Sequence, residues 1–295
     1  MPVVISIASG KGGVGKTFLS ANLAFGFSEC IGKTLLIDCD LGGANLHHFL
    51  AIPPPDENIY HFLREKVPFN KLIKPIKKNL DFISGSSDVL GMIHIKNYEK
   101  NKLIRTIKLV DYDYVIIDLG AGSSYNMLDM FNASDVKLLV VTPEQTSLEN
   151  AYGFLKVAYL REMLNIVKND KRFDELVKQI SFKSEGIKSI SYVKERLLNE
   201  GGKYIKDLEE FTQNYKIGII LNMIKKKNEL SYFILFDFVV KKYLGFNVEK
   251  IGFFPYDSSI SRSLKDGHIY YNITSDDKRE CFIDIISKIK DVAQI

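Results

Sequence analysis

The sequence predicts an α/β fold with a doubly wound, mostly parallel sheet. Three observations support this class: five short apolar segments resemble buried strands, segments with helical spacing separate them, and no linker rich in Pro, Gly or Ser divides the chain. The 295 residues are 46% hydrophobic and 26% charged, values that exclude a disordered or fibrous chain. We therefore expect a single domain over residues 1–295.

Hydropathy, cysteine content and charge exclude several other classes of protein. No stretch approaches roughly 18 uninterrupted apolar residues, and the N-terminus lacks a basic leader, so we expect neither a transmembrane helix nor a signal peptide. The three cysteines, Cys30, Cys39 and Cys281, contain no C-x-x-C pair, which disfavours a disulfide framework and indicates a reducing cytoplasm. The net charge of +4 is spread along the chain and is too weak to indicate nucleic-acid binding by itself.

A glycine-rich loop follows the first predicted strand, residues 3–8, and a helix follows the loop. Gly10, Gly15, Lys16 and Thr17 match the G-x-x-x-x-G-K-[ST] pattern of a phosphate-binding loop. Such a loop turns backbone N–H groups into one concavity at a helix N-terminus, while its lysine neutralises phosphates and its hydroxyl binds Mg²⁺. We therefore predict a nucleotide site. The predicted site also includes Gly12, Gly13, Val14 and Phe18.

The second predicted strand, residues 33–38, ends in an acid. Asp38 and Asp40 would lie at its carboxyl end, where open α/β sheets bind their ligands. The weaker alternative interpretation is that these two acids cap the N-terminus of a helix and bind no ligand.

The third predicted strand, residues 114–118, also ends in an acid and has the form of a Walker B strand. Asp118 would support a hydrated Mg²⁺, and Gly120 and Gly122 would let a switch loop approach the γ-phosphate. An apolar run that ends in Asp is common, so the order of the three segments carries the prediction.

Two further strands are predicted at residues 137–142 and 217–221, and Asn222 follows the second of them. An ordinary turn residue is the alternative interpretation of Asn222. Residues 251–257 form another apolar segment, which contains Pro255 and ends in Asp257.

These motifs resemble those of the MinD/ParA family of deviant Walker A ATPases. The segment KGGVGKT carries the second lysine of that family, Lys11, directly after Gly10. Asp38, Asp40, Gly42 and Asn45 match the family's switch I pattern D-x-D-x-G-x-x-N. The segments DLGAG and VTPEQTSLENAY are similar to the FlhG branch, the flagellar-number regulators related to MinD. The resemblance covers nearly the whole chain except about residues 165–216.

The resemblance implies an ATPase, slow and stimulated by a partner, that dimerises on ATP. Lys11 would reach the nucleotide of the second subunit, and Asp40 would orient the attacking water. Thr17 would bind Mg²⁺ directly, and Asp38 and Asp118 would bind it through water.

The resemblance also implies how the base and the α-phosphate are bound. Asn222 would read the adenine amino group, and the segment with Pro255 and Asp257 would pack along the adenine. Phe18 stands where the family often has a hydroxyl residue, so only its backbone N–H can serve the α-phosphate.

Three segments lie outside these motifs. Residues 165–216 are highly charged with helical spacing, which predicts an inserted helical segment. Residues 228–245 predict a helix whose apolar residues cover most of the circumference, so we expect a buried helix, with a membrane or partner patch as the alternative. The helix near residues 278–293 has lysines balanced by acids and is predicted to close the fold.

The function implied is an ATP-driven switch that spatially regulates a cell structure, either the placement or number of flagella or the division site. Its implied partners are a second copy of the chain, an unidentified protein effector and a peripheral contact with the inner membrane. The alternative is a DNA-partition ATPase of the ParA type, for which the only dense basic run is residues 225–227.

Overall fold

The computed structural model describes residues 1–40, 43–85, 95–167, 170–171, 195–197, 199–200 and 202–293. These residues form an eight-stranded sheet in the order β3-β4-β2-β5-β1-β6-β7-β8. Neighbouring strands pair in parallel except β3 and β4, which are antiparallel. The strands are β1 Val3–Ser9, β2 Thr34–Cys39, β3 Lys74–Lys77, β4 Leu80–Ile83, β5 Tyr114–Ala121, β6 Val136–Val141, β7 Gly218–Ile224 and β8 Glu249–Pro255. The predicted doubly wound, mostly parallel sheet is confirmed.

Helices cover both faces of this sheet. Along β1, the buried side chains of Val4 and Ala8 belong to one apolar cluster, and those of Ile5 and Ile7 belong to the other. The first cluster includes α3 to α8, and the second includes α1, α2, α10 and α11. The helices are α1 Lys16–Cys30, α2 Leu46–Phe49, α3 Ile59–Arg64, α4 Asn97–Ile107, α5 Tyr125–Ala133, α6 Gln145–Val167, α7 Ile205–Asn214, α8 Tyr232–Leu244, α9 Ser259–Lys265, α10 Tyr270–Ile273 and α11 Asp276–Ala293.

All five predicted strands are present, and three strands were not predicted as such. Two of these, β3 and β4, have four residues each. The sequence of β3 (KPIK) contains a proline and two lysines, which is not the pattern of a buried strand, and the apolar run of β4 (LDFI) is short and interrupted by an acid. The third, β8, coincides with the segment interpreted as the adenine-binding region. It lies at one edge of the sheet, beside β7.

Residues 228–245 differ from the predicted buried helix. The helix α8 buries Phe233, Phe236, Val240 and Leu244, but its opposite face exposes Ile234 and other large apolar side chains. The prediction of a buried helix is therefore wrong for one side of α8, since among the described residues only the other side is packed.

The C-terminal helix closes the fold as predicted. In α11, the apolar residues Phe282, Ile285, Ile286 and Ile289 are buried against β8 and α1. In the predicted inserted segment, α6 extends to Val167 and α7 spans Ile205–Asn214, while residues 168–169, 172–194, 198 and 201 lie outside the described residues. Within the described part of the chain, no helix has the length and apolarity needed to cross a bilayer.

Candidate nucleotide-binding site

The glycine-rich loop connects β1 to α1 at the carboxyl edge of the sheet. Two of its positions have no room for a side chain, which explains why they are glycine. A Cβ atom on Gly10 would lie 2.2 Å from the carbonyl carbon of Asn150 in α6. Gly15 has a φ of +81°, and a Cβ there would lie 2.2 Å from Nδ2 of Asn222. Only glycine fits these two positions without a shift of the backbone or of a buried side chain.

A buried lysine–carboxylate pair lies under this loop. Lys16 Nζ donates to Oδ1 of Asp118 at 2.8 Å, and the two side chains are only 7% and 1% exposed. The hydroxyl of Ser20, one turn further along α1, donates to the same oxygen at 2.8 Å. The second oxygen of Asp118, Oδ2, is buried and has no hydrogen-bond partner among the described residues. An unpaired buried carboxylate oxygen is costly, so this atom indicates a missing cation or water ligand.

Asp38 reaches the same place because of the strand register. β2 and β5 are neighbours, and Asp38 lies opposite Asp118 in the parallel ladder. The backbone N–H groups of Asp40 and Leu46 donate to the two oxygens of Asp38, at 2.9 and 3.1 Å. Burial, together with the nearby charge of Asp118, nevertheless raises the pKa of Asp38 to about 7. Two buried carboxylates beside one ammonium group form a donor set that suits a hard divalent cation such as Mg²⁺.

Two of the predicted switch residues, Asp40 and Gly120, lie against each other. A Cβ on Gly120 would lie 3.0 Å from Oδ1 of Asp40, so the Asp40 carboxylate packs directly against the end of β5. Gly122, two residues later, has a φ of +98°. Gly42 of the predicted switch I pattern lies outside the described residues, whereas Asn45 lines the cleft described next.

A cleft of about 460 Å³ opens over the glycine-rich loop, a volume within the range of small-molecule sites. The predicted site residues that line it are Gly12, Gly13, Val14, Gly15, Lys16, Thr17, Phe18, Asp40, Asn222, Pro255 and Asp257. Tyr256, within the predicted segment 251–257, lines it as well. The lining residues that were not predicted are Ser9, Phe49, Ala121, Met223, Ile260, Ser261 and Leu264. The last three belong to α9, and only their position directly after the Pro255 segment could have indicated them.

Two side chains on the far side of the cleft are already engaged with other groups. Asn222 is buried, and its Nδ2 donates to the carbonyl of Val14 at 2.7 Å. The Asp257 carboxylate accepts from the hydroxyl of Tyr270 and the ammonium of Lys278. Burial raises the pKa of Asp257, but these hydrogen bonds outweigh it and hold the pKa well below its usual range. The Asp257 side chain therefore fixes the loop after β8 to α10 and α11.

Lys11 and Phe18 differ in their surroundings, since Lys11 is exposed and Phe18 is buried. Lys11 is 44% exposed, and its Nζ lies 3.4 Å from Oγ1 of Thr146 and 3.5 Å from Oε2 of Glu144. Phe18 is buried among aromatic side chains, with ring centroids 5.1 Å from Tyr270 and 5.3 Å from Phe254. Phe18 can thus meet a ligand in the cleft only through its backbone.

The strand order and the glycine-rich loop after β1 are those of the P-loop nucleotide-binding fold. Residues 3–172 match the protein family described as "AAA domain", which is more than half of the chain, and the chain belongs to this family.

Curated relatives support the resemblance to the MinD and FlhG proteins. The chain is 32% identical over 174 residues to the flagellum site-determining protein YlxH of Helicobacter pylori, covering 58% of this chain and 55% of that protein. It is 34% identical over 157 residues to the septum site-determining protein MinD of the same organism, covering 51% and 57%. The chain thus spans little more than half the length of these two relatives. It is 26% identical over 207 residues to the antiactivator FleN of Pseudomonas aeruginosa, covering 68% and 71%.

Solved structures share the fold over almost the whole chain. The cell division ATPase MinD of Pyrococcus furiosus superposes with a TM-score of 0.69 at 19% identity, covering 99% of this chain and 100% of that one. The septum site-determining protein MinD of Pyrococcus horikoshii, complexed with Mg-ADP, gives 0.67 at 20% identity, covering 99% and 98%. These likenesses confirm the predicted architecture.

Proposed function

We propose that this chain is an ATPase that dimerises when it binds ATP with Mg²⁺, and that the dimer marks the position of a cell structure. One observation carries the proposal. The glycine-rich loop covers a buried group of Lys16, Asp38 and Asp118, in which one carboxylate oxygen of Asp118 has no partner among the described residues. A phosphate chain with its metal ion supplies both the anion that Lys16 requires and the cation that the acids require.

The residues at the loop fit a metal–nucleotide complex. The hydroxyl of Thr17 lines the cleft and would bind Mg²⁺ directly, while Asp38 and Asp118 would hold its water ligands. The metal ion would neutralise charge on the β- and γ-phosphates. Lys16 then has to exchange Asp118 for phosphate oxygens. Ser20 stays hydrogen-bonded to Asp118 and keeps that carboxylate in place during the exchange.

The far side of the cleft offers a hydrogen-bonding side chain for the base. Nδ2 of Asn222 donates one of its two N–H groups to the Val14 carbonyl, which holds the side chain in place. Its Oδ1 would accept a hydrogen bond from the amino group of adenine. Pro255 and the backbone at Asp257 would flank the base.

Hydrolysis would depend on Asp40. Its carboxylate packs against Gly120 at the end of β5, beside the loop that holds Gly122. From this position Asp40 would orient the attacking water, and a protein effector that orders Gly120 and Gly122 would accelerate the reaction. Phosphoryl transfer depends mainly on such positioning and on charge stabilisation. The isolated chain would therefore be a slow ATPase.

Lys11 would connect the two subunits of the dimer. Its contacts with Glu144 and Thr146 are exposed and long, and such surface pairs contribute only about 0–1 kcal/mol. The side chain can therefore leave its own subunit at little cost and reach the nucleotide of a second copy. The relatives named for flagellum and septum site determination favour a spatial regulator. Its other proposed partners are a protein effector and a membrane surface. The alternative of a DNA-partition ATPase is less favoured.

Binding and hydrolysis of ATP by purified variants test this proposal. Lys16→Ala should abolish binding of a fluorescent ATP analogue, because the phosphates lose their buried cation. Asp40→Ala should bind the analogue as the wild type does but release no phosphate. Lys33→Ala changes an exposed lysine at the opposite end of β2 and is the matched control. Phosphate release at the wild-type rate by Asp40→Ala would contradict the assigned role of Asp40.

A further inference from the structure

The outward side of α8 carries an exposed apolar ridge, formed by Ile234, Leu235 and Phe238. These side chains are 65%, 49% and 59% exposed. At about 100° per residue they lie on one stripe of the helix, and Lys241 and Lys242 continue the same stripe one turn later. The ridge is therefore apolar at its centre and cationic at its C-terminal end.

The ridge is a stable feature of the surface, because the opposite side of α8 holds the helix in place. Phe233, Phe236, Val240 and Leu244 are buried in the apolar cluster that also contains α6. The ridge residues contribute little to this packing. Adjacent large apolar side chains that are exposed in this way mark a surface for interaction.

Positive charge flanks the ridge at both ends. Residues 225–227 are three exposed lysines, separated from the start of α8 by residues 228–231. Residues 225–245 contain five lysines and two acids, which gives a net charge of +3 in a chain whose total is +4. Both acids are engaged: Glu229 accepts from two backbone N–H groups, and Asp237 accepts from the N–H of Val248. The positive charge beside the ridge is thus only partly offset.

We propose that this ridge of α8 lies on an anionic lipid surface. The apolar side chains would enter the boundary between headgroups and acyl chains, and the lysines at both ends would bind lipid phosphates. The partner is inferred from charge complementarity. The lysines on either side of the ridge are complementary to anionic headgroups, and the apolar side chains between them are complementary to the acyl boundary beneath. The inference rests on the membrane contact proposed above and names its surface. The C-terminal helix cannot provide that surface, because its apolar residues are buried in the core.

Co-sedimentation of the nucleotide-free chain with vesicles tests the inference. The chain should sediment with phosphatidylcholine vesicles that contain phosphatidylglycerol, and not with pure phosphatidylcholine. The triple variant I234S/L235S/F238S should lower the partition coefficient by more than about tenfold. Lys241→Gln with Lys242→Gln should lower it by about thirtyfold, since each lysine near an anionic surface contributes about 1 kcal/mol.

Two matched controls separate the ridge from general effects of the substitutions. Leu109→Ser removes an even more exposed apolar side chain outside α8, and Lys288→Gln removes an exposed lysine of α11. Neither should change the partition coefficient. All variants should keep the wild-type melting temperature, because the changed side chains lie on the surface.

Three outcomes would overturn the inference. Absence of sedimentation with either vesicle would refute both the ridge and the proposed membrane contact. Undiminished sedimentation of the triple variant would leave the membrane contact standing but assign it to another surface. Self-association of the nucleotide-free chain that the triple variant abolishes would show that a second copy covers the ridge.

Discussion

Substitution of Ser20 tests whether its hydroxyl stabilises the buried carboxylate of Asp118. Ser20 donates to Asp118 at 2.8 Å inside the protein, where both groups are shielded from water. A hydrogen bond to a charged group contributes about 1.5–3 kcal/mol. Ser20→Ala should therefore lower the free energy of unfolding by that amount. For a chain of this length the loss corresponds to a decrease in melting temperature of about 2–5 °C.

A matched control lies on the same helix. The hydroxyl of Ser28 is also buried and donates at 2.7 Å to the carbonyl of Phe25, a neutral acceptor. Ser28→Ala should cost less, about 0.5–1.5 kcal/mol. Thermal melts of the two variants without nucleotide measure these differences.

The same variants separate a structural role of Ser20 from a role in metal binding. Once Lys16 turns to the phosphates, Ser20 is the donor that still orients the Asp118 oxygen. Ser20→Ala should therefore raise the Mg²⁺ concentration needed for tight ATP binding, while ATP binding in excess EDTA stays unchanged. Equal effects of Ser20→Ala and Ser28→Ala on both stability and Mg²⁺ dependence would refute this reasoning.

Three further predictions concern the loop and the acids. Lys11→Ala should leave stability and ATP binding unchanged but abolish the dimer in light scattering; a dimer that persists would refute the role across the interface. Gly10→Ala should cost at least about 2 kcal/mol in urea unfolding, because its Cβ would meet the backbone of Asn150, whereas Gly153→Ala, with no atom near its Cβ, should cost nothing. In the folded chain the pKa of Asp38 is raised from 3.8 to about 7. Ionisation of Asp38 therefore lowers the free energy of unfolding as the pH rises through that window. The melting temperature of Asp38→Asn relative to the wild type should therefore rise between about pH 4 and about pH 8, in addition to a constant loss because Nδ2 cannot accept the second backbone N–H; a difference independent of pH would contradict this.

The loop and its flanking elements could be predicted because their signals are local. The glycines, the lysine and the apolar spacing of α1 are all contained within about one strand and one helix of sequence. The approach of Asp38 to Asp118 was also predictable, because parallel strands bring their carboxyl ends to one edge of the sheet.

The contacts that complete the site could not be predicted, because they join residues far apart in sequence. Ser20 resembles any small helix residue until β5 brings Asp118 to it. The pairing of Asp257 with Lys278 depends on how α11 packs beside β8. In α8, apolar residues around most of the circumference indicated burial, and only the tertiary structure shows that one side has no neighbour among the described residues to cover it.

Molar mass by light scattering tests the central claim most directly. The wild type and Asp40→Ala would be measured with Mg²⁺ and either ATP or ADP. We expect monomers with ADP, a dimer with ATP, and a dimer that persists in Asp40→Ala because the nucleotide is not hydrolysed. A monomer in every state, from protein that still hydrolyses ATP, would contradict the switch and indicate a P-loop enzyme that acts on a small substrate.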